Sequence, residues 1–194
     1  EIIVSMRNDS LSLTYPLLAV LDGRNLVVKW SIKIPSVNPY SYSTALSVAD
    51  IDGNGCLEIL TANHDGLISI FNASNRSHVR NISTKQWIVG LLVHDIDGDL
   101  STEIVAGTDW SSGNISVIDC RDYQPEWDSG CLGVGVGFQS YMVCTDIDHD
   151  YQKELIFKAS GFLHVMGIGT PKPDILVKQL NFSETDITEG DVTE

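Results

Sequence analysis

The chain has 194 residues, 43% of them apolar, and a net charge of −14 from 26 acidic and 12 basic side chains. That length can bury a real core, while the acidity argues against nucleic acid or an anionic membrane surface as partner and favours divalent cations. No apolar run approaches the roughly 18 residues of a membrane span.

Along the chain, Glu1-Ile2-Ile3-Val4 reads as the middle of a strand, so we expect a piece of a larger protein. Asp22 and Trp30 follow, eight residues apart. Next comes an apolar segment running into acid, Ala45-Leu46-Ser47-Val48-Ala49-Asp50-Ile51-Asp52-Gly53-Asn54, closed by Glu58-Ile59-Leu60. The β-branched runs Ile59-Leu60-Thr61 and Ile68-Ser69-Ile70 are predicted strands, joined by an Asp65-Gly66 turn. The plan returns at Leu91-Leu92-Val93-His94-Asp95-Ile96-Asp97-Gly98-Asp99, closed by Glu103-Ile104-Val105. A turn over Ser112-Gly113-Asn114 and a strand over Ile115–Ile118 follow. Asp119 and Trp127 repeat the spacing of Asp22 and Trp30, and Asn72 holds that place in the middle copy without a Trp. The third copy is Met142-Val143-Cys144-Thr145-Asp146-Ile147-Asp148-His149-Asp150, closed by Glu154-Leu155-Ile156, with a turn at Ser160-Gly161.

The first aspartates of the copies stand 45 and 51 residues apart, and Glu1 aligns with Glu58 as the stump of a fourth copy. No segment keeps a helical period. The unit is strand, acidic loop, strand, turn, strand, turn, strand. Four short antiparallel strands at this repeat length are the arithmetic of a β-propeller blade, which must stack on neighbours to bury both faces. The predicted fold is all-β, with a partial blade over 1–36 and blades over 37–86, 87–136 and 137–167. About three and a half blades fall short of the roughly four to eight of a closed ring.

Within each loop the first Asp is followed two, four and eight residues later by further oxygen donors. The sets are Asp50, Asp52, Asn54 and Glu58; Asp95, Asp97, Asp99 and Glu103; and Asp146, Asp148, Asp150 and Glu154. Alternating donors turn their oxygens into one concave loop, and the seventh residue (Cys56, Ser101 or Gln152) is the expected carbonyl donor. Ca²⁺ takes about six to eight hard oxygens, and clustered carboxylates without a cation repel, so binding should order the loop. An EF-hand loop opens in the same way, but its closing Glu comes later and helices flank it. His149 stands where the other loops have Gly53 and Gly98, which makes the third loop the weakest match.

The stretches VADIDGNGCLEILTANHDGLISIFN and VHDIDGDLSTEIVAGTDWSSGNISVID resemble the FG-GAP/VCBS repeat family of integrin-alpha-like propeller blades, over about residues 1–167. The resemblance implies Ca²⁺ in the loop between the first two strands of a blade, held by the first, third, fifth and ninth loop residues. It also implies an extracellular or cell-surface adhesion scaffold that presents a propeller face to a protein or carbohydrate ligand. The alternative is the propeller part of a polysaccharide lyase or other carbohydrate-active enzyme. Residues 168–173 read as a linker, and 174–194 resemble the opening strands of a CARDB-type immunoglobulin-like module or form a polar tail.

Asn-x-Ser occurs at Asn8, Asn72, Asn75, Asn81, Asn114 and Asn181, each an N-glycosylation acceptor if the protein is exported. Cys120 and Cys131 could close a disulfide worth about 3 kcal/mol, whereas Cys56 and Cys144 have no evident partner. The histidines (His64, His78, His94, His149 and His164) are scattered, and neither a nucleophile constellation nor zinc-type His/Cys pairing is visible. The connections over 5–14 and 121–140 are not basic, as a lyase cleft would require, and Gly133–Gly137 precedes no predicted helix.

Overall fold

The computed structural model describes residues 1–9, 14–38, 41–108, 113–132, 142–147, 149, 153–159 and 162–167. Among them there is no helix, and fourteen strands form four antiparallel sheets. The first sheet holds β1 (Ile2–Asp9), β2 (Thr14–Leu21) and β3 (Val28–Lys33). The second holds β4 (Ser43–Ala49), β5 (Glu58–Asn63), β6 (Leu67–Asn72) and β7 (His78–Ser83). The third holds β8 (Ile88–His94), β9 (Glu103–Thr108), β10 (Ile115–Asp119) and β11 (Pro125–Asp128). The fourth holds β12 (Met142–Thr145), β13 (Glu154–Ala159) and β14 (Phe162–Gly167). Within each sheet the strands lie in chain order. Of the segment 5–14, expected to be a connection, residues 5–9 instead lie in β1, which pairs with β2 from Ile2↔Leu21 to Asp9↔Thr14, and 10–13 lie outside the described residues.

Side-chain alternation explains why the sheets stack. Every residue of β5 and of β9 is buried, and successive residues face opposite ways along a strand. Ile59 and Phe71 pack back on Leu18, Val20 and Ile34 of the first sheet. Leu60, Ala62, Ile68 and Ile70 pack forward on Ile104, Ala106 and Ile118 of the third. Val105, Ile115 and Val117 in turn pack on Leu155, Phe157 and Met166 of the fourth. Each fully buried Ile or Leu contributes about 2 kcal/mol of transfer free energy, so the central strands hold three inter-sheet cores together. β4 touches β1, β8 touches β4, and β12 touches β8. The last strands β7 and β11 lie mostly exposed.

The Asp22, Asn72 and Asp119 positions share one turn. Asp22 N–H donates to Val27 O, Asn72 N–H to Ser77 O and Asp119 N–H to Gln124 O, at 2.9, 2.9 and 3.1 Å. Each side-chain Oδ1 accepts the amide two residues on, from Arg24, Ser74 and Arg121. The fifth residue of each turn, Leu26, Arg76 or Tyr123, has positive φ. Trp30 pairs with Val20 and Trp127 with Val117, and Arg80 takes that place opposite Ile70 in the middle copy.

Cys120 and Cys131 are both free, the first buried and the second exposed. Cys120 follows the end of β10 that turns towards β11, whereas Leu132 hydrogen-bonds Gly113 at the opposite end of that strand. At about 3.3 Å per residue the two thiols are separated by nearly the whole strand, well past the roughly 7 Å Cα limit for a disulfide. Burial pushes the Cys120 thiol up to about 12. Cys56 is exposed and Cys144 half-buried, both also free.

Candidate metal centre

The acidic loops connect β4 to β5 and β8 to β9, and each is pinned from below. Ile51 and Ile96, each the second loop residue, are 4% exposed and sit in the inter-sheet cores. Burying that side chain leaves the flanking aspartates outside. The amide N–H of the same residue donates to the closing glutamate: Ile51 to Glu58 Oε2 at 3.3 Å and Ile96 to Glu103 Oε2 at 2.8 Å. The third loop repeats the contact, Ile147 N–H to Glu154 Oε2 at 2.8 Å. Ile147 itself is 49% exposed.

The fourth loop residue is left-handed in all three copies: φ is 69° at Gly53, 80° at Gly98 and 63° at His149. His149 thus takes the glycine's backbone conformation. A histidine tolerates it better than most residues. Asp148, Asp150 and Gln152 lie outside the described residues, so Asp146 and Glu154 are the donors of the third loop seen in place.

In the first loop, Asp50, Asp52 and Glu58 bring oxygens within 4.8 Å of one another. Asn54 N–H donates to Asp50 Oδ1 and Asp52 Oδ1, both at 3.1 Å, and its side-chain amide donates to Asp52 Oδ2 at 2.8 Å. Gly55 N–H donates to Asp50 Oδ2, and Cys56 N–H to Asn54 Oδ1. In the second loop, Asp95, Asp97 and Asp99 converge within the same limit. Gly98 N–H donates to Asp95, Asp99 N–H to Asp97 and Ser101 N–H to Asp99 Oδ1. The carboxylates expected from the sequence therefore do converge in the first two loops, except that Glu103 stands outside the second cluster, and Asn54 is tied to the first through Asp52. A cleft of about 470 Å³ opens between these loops, lined among others by Asp50, Asp52, Asp99, Arg121 and Tyr123.

The closing glutamates are buried, Glu58 at 3% and Glu103 at 1% exposure. Loss of water raises the Glu58 carboxyl above its ordinary range, against the lowering hydrogen bond from Ile51 and with Asp52 and Asp50 adding to the rise. For Glu103, burial pushes the value up to about 7, again opposed by the Ile96 amide and reinforced by Asp97, Glu126 and Asp99. Asn72 Nδ2 donates to Glu58 Oε1 at 3.2 Å. Asp119, in the equivalent place, has no donor to offer, and Glu103 Oε1 finds no hydrogen-bond partner among the described residues. The two acidic clusters, Asp50/Asp52/Glu58 and Asp95/Asp97/Asp99, could each hold a metal ion.

Four residues of this site were not foreseen as such. Asn72 and Asp119 mark the register in the sequence, but their place opposite the closing glutamate follows from strand pairing. Arg121 Nη2 lies 2.6 Å from Asp99 Oδ2 and 2.8 Å from Asp119 Oδ2. Lys153 donates to Asp95 O at 3.1 Å, tying the fourth sheet to the second loop. No protein-family model matches the chain, and no curated protein does.

Proposed function

We propose that the chain is a calcium-binding segment of a β-propeller of the FG-GAP/VCBS kind, part of a secreted or cell-surface protein that serves as a binding scaffold. Sheets that stack in chain order, with the leading strands neighbouring and the last strands exposed, are what successive blades require. The observation that carries the metal reading is the repeated loop: converging carboxylates above a glutamate that is buried and bonded to the amide of the second loop residue. The donor set is all oxygen and mostly anionic, which suits Ca²⁺ better than a metal that prefers nitrogen or sulfur. Asp50, Asp52, Asn54 and Glu58 would hold one ion, and Asp95, Asp97, Asp99 and Glu103 another. Asp146, Asp148, Asp150 and Glu154 are the proposed third set, with the carbonyls of Cys56, Ser101 and Gln152 completing the loops. Among the described residues no helix is long and apolar enough to cross a membrane. The ligand class for the scaffold is a protein or a carbohydrate.

The test is thermal unfolding of the full chain in EDTA and in millimolar Ca²⁺. A ligand at 100 times its Kd stabilises by about 2.7 kcal/mol per site, which for a chain of this size is a rise of several degrees per occupied loop. Equal melting temperatures in the two buffers would refute the calcium reading. Asp97→Ala should lower the calcium stoichiometry by one, and an unchanged stoichiometry would remove the second loop from the ligand set.

A further inference from the structure

Arg121 pairs with carboxylates of the second loop's surroundings, and Ser74 stands in its place beside the first. The two loops are alike in backbone but not in charge. The second has Asp99 where the first has Asn54, and Asp119 where the first has Asn72. These two exchanges add two carboxylates. Arg121 Nη2 touches both, at 2.6 Å from Asp99 Oδ2 and 2.8 Å from Asp119 Oδ2, and its Nε reaches Asp119 at 2.9 Å. In the turn of the second sheet, Ser74 holds the place of Arg121.

The loop is more than a cluster of acids. Glu103, 1% exposed, is fixed beneath it by the Ile96 amide, and its Oε1 has no partner among the described residues. Asp99 is fully engaged: Ser101 N–H holds Oδ1 and Arg121 holds Oδ2. A cation that takes Asp99 as a ligand must therefore displace the guanidinium or share a carboxylate with it. The side chain of Arg121 is 59% exposed and lines the cleft between the loops, so it has room to swing away.

We infer that Arg121 is a built-in competitor for metal at the second loop, an internal cation that neutralises Asp99 and Asp119 until an ion replaces it. This inference rests on the calcium reading of the loops. It makes the two loops unequal: the first binds with no internal cation to displace, while the second releases Arg121 on binding.

The experiment is calorimetric titration of the full chain with CaCl₂, for the wild type, Arg121→Gln, Asp97→Asn and the double variant. Removing one positive charge a few ångströms from a surface site should tighten one binding step about tenfold at low salt, and the gain should vanish in the Asp97→Asn background. In EDTA, Arg121→Gln should melt about 2 °C lower, since the metal-free loop loses its only nearby guanidinium. Calcium should then raise its melting temperature by more than it raises that of the wild type. Unchanged or weaker binding in Arg121→Gln overturns the inference while leaving the calcium reading intact, as does a gain that survives in the Asp97→Asn background. No calcium binding by the wild type overturns both.

Discussion

The first and second acidic loops are one backbone design with two electrostatic solutions. In each, an isoleucine plugs the inter-sheet core and lends its amide to a buried glutamate. In the first, the glutamate's second oxygen is answered by Asn72 across the strand pair, and the loop is nearly satisfied on its own. In the second, Asp119 replaces that donor, the oxygen is orphaned, and Arg121 is drawn in to offset the surplus charge. Bonds from backbone N–H groups to the loop's own carboxylates fix the shape of such a loop. The identity of the residue facing the closing glutamate then decides how strongly it calls for a cation.

The largest expected consequence is a pH dependence of the metal-free protein that the second loop carries more strongly than the first. Glu103 titrates near 7 when folded, against 4.5 for an ordinary glutamate. Between those values the folded state holds a proton that the unfolded state has lost, so stability falls as pH rises. The favourable contribution is fully present below about pH 4.5 and is lost through about pH 7, for a total on the order of 3 kcal/mol. Urea unfolding in EDTA across this range should show a decline that Glu103→Gln flattens, while Glu58→Gln changes the slope less. If the Glu103→Gln profile runs parallel to the wild type, the orphaned oxygen is not the source of strain.

A smaller effect should follow from making the first loop resemble the second. Asn72→Asp removes the donor to Glu58 Oε1 and sets a like charge beside it. An unsatisfied buried acceptor costs about 1–3 kcal/mol, so in EDTA the variant should lose about 2 kcal/mol of stability. It should regain part of this in calcium, because the new charge also strengthens the call for a cation. A loss of the same size in both buffers would mean that the added carboxylate does not help hold a cation.

The ligand offsets and the strands around them were legible in the sequence because both are local. Asp50, Asp52, Asn54 and Glu58 answer one another within nine residues, and β5 and β9 each carry a short apolar run, Ile59-Leu60 and Ile104-Val105-Ala106. What escaped was whatever depends on register between strands. Asn72 faces Glu58 only because Glu58 pairs with it across β5 and β6. Asp119 faces Glu103 by the same rule across β9 and β10. Arg121 reaches back 22 residues to Asp99. The suggested disulfide failed for the same reason: Cys120 and Cys131 are close in sequence, but strand pairing sends them to opposite ends of β10. The polar residues Ser5, Arg7, Asn8 and Asp9 disguised β1 as a connection.

The finest distinction between the loops lies at their sixth residue. Gly55 and Leu100 both adopt a left-handed backbone, φ 83° and 71°. Glycine takes this conformation freely, whereas a side chain with a Cβ is strained there by about 1–2 kcal/mol. Leu100 recovers nothing by packing, since it is 94% exposed. Leu100→Gly should relieve the strain, less the backbone entropy that glycine loses on folding, about 0.5–1 kcal/mol. The net gain is on the order of 0.5 kcal/mol, a rise of about 1–2 °C in melting temperature. The reverse exchange, Gly55→Leu, should cost the first loop a similar amount. Opposite signs for the two substitutions are the expected result. If both destabilise, the exposed leucine is held by contacts that its strained backbone exists to present, and the sixth position is not interchangeable between the loops.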